Sequence, residues 1–128
     1  MMNDHPQQRL SGCRILVVED EYFLADDLAQ AIAQLGAEVL GPVPTRDEAL
    51  DLLATAGPID LAVLDINLED KAVYPVADLL IAQGVPFLFA TGYGEAAVPT
   101  RYQHVPRWEK PFSPETLAHA LPELMRDQ

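Results

Sequence analysis

Basic residues are scarce in this chain. Eight Lys and Arg stand against twenty Asp and Glu, a formal net charge of −12. That balance argues against nucleic-acid binding, whose affinity rests on neutralising phosphates with a basic surface. Cysteine is nearly absent. The single Cys13 leaves no internal disulfide and no cysteine-rich zinc site. No run of about 18 apolar residues occurs, so no membrane-spanning helix is expected. Met1 to Ser11 lacks the apolar stretch of a secretory signal. What is present is an ordinary apolar content, 49% hydrophobic residues over 128 positions with 22% charged. That is too apolar for a disordered acidic tail. Folding a chain of this length buries roughly 65–70% of its unfolded surface, enough for one core. The expectation is a soluble, cytoplasmic, acidic single domain over residues 13–128, preceded by a flexible leader over 1–12.

One grammar repeats along the chain: a short apolar run, a charged or turn-like junction, then an amphipathic stretch. The runs are Arg14–Val18, Glu38–Pro42, Leu61–Leu64, Phe87–Ala90 and Val105–Trp108. Ile15-Leu16-Val17-Val18 has no polar alternation, which suits a strand covered on both faces. In the first intervening stretch Leu24, Leu28, Ala31 and Leu35 share one stripe, with Asp26, Asp27, Gln30 and Gln34 turned away, and Gly36 ends it. The second opens on the capping pattern Thr45-Arg46-Asp47-Glu48 and stops at Gly57-Pro58. The third carries Pro75 in its first turn and ends at Gly84. A short fourth, within Glu95–Gln103, is interrupted by Pro99. The last is capped at Ser113-Pro114-Glu115, and Pro122 inside it should kink or shorten it. Five such units predict a doubly wound α/β domain: a five-stranded parallel sheet with helices on both faces.

In such sheets ligands bind beyond the carboxyl ends of the strands. There the sequence places Glu19-Asp20-Glu21, Asp65-Ile66-Asn67, Thr91-Gly92-Tyr93-Gly94 and Lys110-Pro111-Phe112. Each has an ordinary reading by itself. An acidic junction favours a helix dipole. Asp65 fits a turn or a cap. A lone lysine is solvated, and Thr-Gly makes a turn. Together at one rim they make a different set. Two carboxylates about 4 Å apart repel by roughly 1 kcal/mol in water and roughly 4 at an effective dielectric of 20. A cluster of Glu19, Asp20 and Asp65 therefore calls for a cation, and oxygen ligands beside phosphate chemistry favour Mg²⁺. Lys110 offers a point charge for a phosphoryl oxygen, and Thr91 offers a hydroxyl. One carboxylate can then act as nucleophile and form an acyl phosphate.

This set resembles the receiver domain of two-component response regulators, over Cys13 to Arg126. The resemblance is carried by Glu19-Asp20, Asp65, Thr91 and Lys110-Pro111 in that order. It implies the flavodoxin-like receiver fold, with Asp65 as phospho-acceptor. It implies Mg²⁺ held by Asp20, Asp65 and the Asn67 carbonyl, with Glu19 reaching it through water. It implies Thr91 and Lys110 on the phosphoryl oxygens and a cis Lys110–Pro111 bond. The partner implied is a sensor histidine kinase, with output through a downstream protein or a phosphorelay. Turnover of an external substrate is not implied. The run Pro86-Phe87-Leu88-Phe89-Ala90-Thr91-Gly92-Tyr93-Gly94 is similar to the Phe-Ala-Thr-Gly-Tyr subgroup of single-domain receivers, which implies a kinase of the HWE/HisKA2 type.

The chain departs from the family at two points. Arg107 occupies the place of the usual switch aromatic, and neighbouring Trp108 would point to the opposite face. Gly92 follows the threonine where a small residue such as Ala is usual. Phosphorylation is therefore expected to act through Thr91–Val98 and the short fourth helix, while Arg107 stays at the surface, paired with Glu109 or an acid of the last helix. A Mg²⁺-dependent phosphohydrolase with an aspartyl-phosphate intermediate is the rival. It needs an acid two residues after the nucleophile, and Asn67 stands there. A receiver fragment of a larger hybrid protein is the other alternative. His5, His104 and His119 are scattered without metal-ligand spacing. Cys13 reads as a small filler, and Phe87 and Phe89 read as core. Tyr93, Tyr102 and Trp108 stay open between core and a partner-facing patch.

Overall fold

A computed structural model of the chain describes residues 9–69, 71–92 and 98–126. The elements run β1 (Arg14–Val18), α1 (Tyr22–Gln34), β2 (Glu38–Val43), α2 (Arg46–Thr55), β3 (Leu61–Asp65), β4 (Asn67–Leu68), β5 (Lys71–Ala72), α3 (Tyr74–Ala82), β6 (Phe87–Thr91), a 3₁₀ turn (Thr100–Tyr102), β7 (Arg107–Glu109) and α4 (Pro114–Arg126). Five strands form one sheet in the order β2-β1-β3-β6-β7. Every pairing in it is parallel. The central strand β3 and its neighbour β6 are buried at all five positions, as unbroken apolar runs require.

The faces are covered unequally in kind. Leu28, Ala31 and Ile32 of α1 and Leu117, Ala118 and Leu121 of α4 pack with Ile15, Val17, Val63 and Leu88. On the other face Ala49 and Leu53 of α2 and Val76, Ala77 and Leu80 of α3 pack with Leu16, Val18, Leu64, Phe87 and Phe89. The Thr45 hydroxyl accepts from the Glu48 N–H at 3.1 Å, capping α2. Gly84, at φ +72°, closes α3 while the Val85 N–H donates to the Leu80 carbonyl at 2.9 Å.

Several expectations change in detail. A 3₁₀ turn at Thr100–Tyr102 stands where the fourth helix was expected; residues 93–97, including Tyr93, lie outside the described residues. Pro122 does not shorten α4, which runs on to Arg126. A proline removes one backbone bond, and the buried Leu117, Ala118 and Leu121 hold the helix on its neighbours. At the described end of the expected leader, Leu10 is fully buried and its N–H donates to the Leu35 carbonyl at 2.8 Å. A two-stranded antiparallel hairpin, β4–β5, follows Asp65, too short to leave a periodic signal. Strand β2 carries a register shift opposite Leu16–Val18. There Gly41, at φ +92°, leaves no room for a Cβ, which would sit 2.7 Å from the Val43 nitrogen. The Gly41–Pro42 and Lys110–Pro111 bonds are both cis.

Candidate functional site

The carboxyl ends of β1, β3, β6 and β7 converge on one rim. Glu19 and Asp20 directly follow β1, and the Glu19 N–H donates to the Val43 carbonyl at 3.0 Å, fixing the junction to β2. Asp65 is the last residue of β3 and pairs with Ala90. That leaves Thr91 one step further along the neighbouring strand. Lys110 follows β7, and its N–H donates to the Thr91 carbonyl at 2.8 Å. Glu19, Asp65 and Thr91 are the buried polar and charged residues among those described. Central strands buried on both faces carry these groups inside by position.

The ammonium of Lys110 ties the site together. Its Nζ donates to Glu19 Oε2 at 3.0 Å, Glu21 Oε2 at 2.9 Å and Asp65 Oδ2 at 3.3 Å. Burial alone would pull the Lys110 pKa down. Its hydrogen bonds to Glu21 and Glu19 and the charges of Asp65 and Glu19 outweigh that, so it stands above the ordinary value. Asp65 moves the other way from most paired carboxylates. Burial and the charge of Glu19 push it up to about 8, against the opposing pull of Lys110. One ammonium shared by three carboxylates does not compensate a buried pair.

Ligand atoms of Glu19, Asp20 and Asp65 lie within 4.8 Å of one another, close enough to converge on one cation. The donor set is all oxygen, which suits Mg²⁺ over softer metals. A second observation fits a missing positive charge: Glu19 Oε1 is buried with no hydrogen-bond partner. Asp20 is held by the backbone, its Oδ2 accepting from the Glu69 N–H at 3.0 Å. The Asn67 N–H donates to Asp65 Oδ1 at 3.3 Å. The structure thus brings together Glu19, Asp20, Asp65 and Lys110, with Asn67 and Thr91 at the same strand ends.

Sequence reasoning passed over two features. Glu21, read only as part of an acidic junction, reaches Lys110 directly. Tyr22 and Phe23 begin α1 with 75% and 79% exposure and meet edge-on, ring centres 5.3 Å apart. Their signal was present: both lie off the stripe that buries Leu28 and Ile32. Beside them Glu19, Asp20, Tyr22, Ala25, Asp26, Pro42 and Pro44 line a cavity of about 450 Å³. Arg107 is exposed, as expected, but has no ion pair among the described residues. Trp108 is half-buried against Phe112, and Tyr102 is fully buried. No helix of the described residues is long and apolar enough to cross a membrane.

No protein-family model matches the chain. Among solved structures it is similar to SdrG from Sphingomonas melonis Fr1, at 38% identity and a TM-score of 0.76, covering 88% of this chain and 96% of that one. The beryllofluoride-activated conformation of SdrG matches at a TM-score of 0.71, over 88% of this chain and 95% of that one, again at 38% identity. A response regulator receiver protein from Sinorhizobium medicae matches at 25% identity and a TM-score of 0.74, over 91% of this chain and 97% of that one. The phyllosphere-induced regulator PhyR of Methylorubrum extorquens is 32% identical over 115 residues, 87% of this chain. The chain spans 43% of that regulator's length.

Proposed function

This chain belongs to the receiver family of two-component response regulators, and from that premise we propose that it takes a phosphoryl group on Asp65 and signals through protein contacts. The observation that carries the reading is the placement of Asp65: buried at the end of a central strand, 3.3 Å from the Lys110 ammonium and beside Glu19 and Asp20. An Asp65 carboxylate oxygen attacks the phosphorus of a phosphohistidine on a sensor kinase. The phosphorus–nitrogen bond breaks, the imidazole leaves with its electron pair, and an acyl phosphate remains on Asp65. Lys110 and Thr91 hold the phosphoryl oxygens. Asp20 and Asp65 would hold Mg²⁺ with the Asn67 carbonyl, Glu19 reaching it through water, and the ion would neutralise phosphoryl charge.

The exposed Tyr22–Phe23 pair beside the acidic rim supports docking of a kinase there, since exposed aromatics mark interaction surfaces. A kinase of the HWE/HisKA2 type remains the partner implied by the Phe-Ala-Thr-Gly-Tyr resemblance. SdrG has a beryllofluoride-activated conformation, and the same phosphoryl mimic serves here. The test is phosphorylation by acetyl phosphate or a histidine kinase with Mg²⁺ present. Asp65→Asn should lose hydroxylamine-sensitive label entirely. Label persisting in that variant would move the acceptor elsewhere and refute the reading.

A further inference from the structure

The ring missing from the strand at Arg107 is supplied from another part of the chain. Resting on the receiver reading, we propose that Tyr102 carries the state of the Asp65–Thr91 site to the outer surface of α3, with Asp78 and Arg101 as its catch. Parallel pairing sets Phe89 opposite Arg107 and Ala90 opposite Trp108. Arg107 therefore shares the face of Phe89 but stays exposed, because burying its charge is costly. Trp108 takes the other face, edge-on to Phe112 at 6.1 Å. The ring beside Phe89 is that of Tyr102, edge-on at 5.7 Å between centres. It stacks on Tyr74 of α3 at 4.9 Å and 14°, and Tyr74 itself meets Phe89 edge-on at 6.2 Å. Phe89 and Thr91 are two residues apart on β6 and so face the same side. A buried aromatic stack thus begins next to the threonine.

Its outer end is polar. The Tyr102 hydroxyl donates to Asp78 Oδ1 and lies 3.4 Å from the Tyr74 carbonyl. Arg101 grips both oxygens of Asp78, Nε and Nη2 each at 3.3 Å, and its guanidinium carbon lies 4.5 Å from the centre of the Tyr102 ring. Two members of this triangle come from the 3₁₀ turn and one from α3. The ring is buried while the side chains of Asp78 and Arg101 are about half exposed. One end of Tyr102 therefore touches the core beside Thr91, and the other sets a surface charge pair. The Tyr102 ring is already fully buried against Phe89, so when Thr91 moves toward phosphoryl oxygens the stack of Phe89, Tyr102 and Tyr74 repacks. The hydroxyl then leaves Asp78, and the Asp78–Arg101 pair rearranges on the surface a partner reads. Packed cores offer such discrete alternatives rather than continuous deformation.

Beryllofluoride with Mg²⁺, added to the full chain and followed by amide chemical shifts, tests this. In the wild type, signals of Asp65, Lys110 and α3 should all move. Tyr102→Phe keeps the ring and loses the hydroxyl, and Asp78→Ala removes the catch. In both, Asp65 and Lys110 should still respond. Their α3 signals should start near the activated wild-type positions and lose most of their response. A wild type whose α3 stays still while Asp65 and Lys110 respond overturns the proposal, as do variants whose α3 responds in full. No response at Asp65 or Lys110 in the wild type would instead sink the receiver reading, and this inference with it.

Discussion

Lys110 is one cation among three carboxylates, and its removal has a definite cost. Its side chain is only 12% exposed, and Glu19 and Asp65 are almost fully buried. Deleting one partner of a buried ion pair costs on the order of 3–5 kcal/mol when the other charge must stay. Asp65, raised to about 8, already holds its proton at neutral pH, which lowers that cost. Lys110→Ala is therefore expected to lose on the order of 2 kcal/mol in urea unfolding without divalent cation. Millimolar Mg²⁺ should restore more stability in the variant than it adds to the wild type. Equal gains would show that ammonium and cation do not share the same carboxylates. At this scale Glu19, Asp20, Asp65, Thr91 and Lys110 were legible because each abuts an apolar run. Glu21 and Tyr102 were not. Glu21 is an ordinary helix-start acid until the fold returns Lys110 beside it, and Tyr102 sits in a stretch with too few apolar residues to show a period.

Elements ended where the sequence carried local punctuation, and went unpredicted where tertiary contacts decide. The capping threonine, Pro75 and Gly84 each mark a helix boundary. The hairpin β4–β5 left none, because two residues cannot show periodicity, and the stretch Glu95–Gln103 reads as a short helix where its described residues hold only a 3₁₀ turn. Pro122 does not shorten its helix for a related reason: a local rule met a helix already fixed by its buried stripe. Two substitutions separate local from distant effects. Thr45→Ala should cost about 1 kcal/mol by exposing the Glu48 N–H, with Mg²⁺ affinity unchanged, since α2 supplies no site residue. Gly41→Ala should cost more than that. It forces a left-handed φ of +92° and drives a Cβ to 2.7 Å from the Val43 nitrogen and 3.0 Å from the Val17 carbonyl. A Gly41→Ala protein with an unchanged urea midpoint would mean that β2 can shift its register freely.

For the whole molecule, the doubly wound sheet places Asp65 where its protonation is coupled to folding. In the folded chain Asp65 titrates near 8, against about 3.9 when unfolded. Between those values the folded state keeps a proton that the unfolded state releases. Stability without divalent cation should therefore fall as pH rises from about 4 to about 8, by at most about 1.4 kcal/mol per pH unit from this group. Lys110 does not offset the slope. Its pKa is raised in the folded state and ordinary, about 10.4, in the unfolded one, so it is charged in both across that window and its contribution stays constant. A divalent cation requires ionised ligands, so its binding expels the Asp65 proton. The stabilisation given by Mg²⁺ should then be small near pH 5 and grow toward pH 8, and the pH slope seen without the ion should flatten. Melting temperatures measured across that range, with and without millimolar Mg²⁺, check this directly. A Mg²⁺ shift independent of pH would mean that the proton lies elsewhere than on Asp65. Repeating the series with Asp65→Asn supplies the converse: the variant has no proton to expel, and both its pH slope and the pH dependence of its Mg²⁺ response should shrink together.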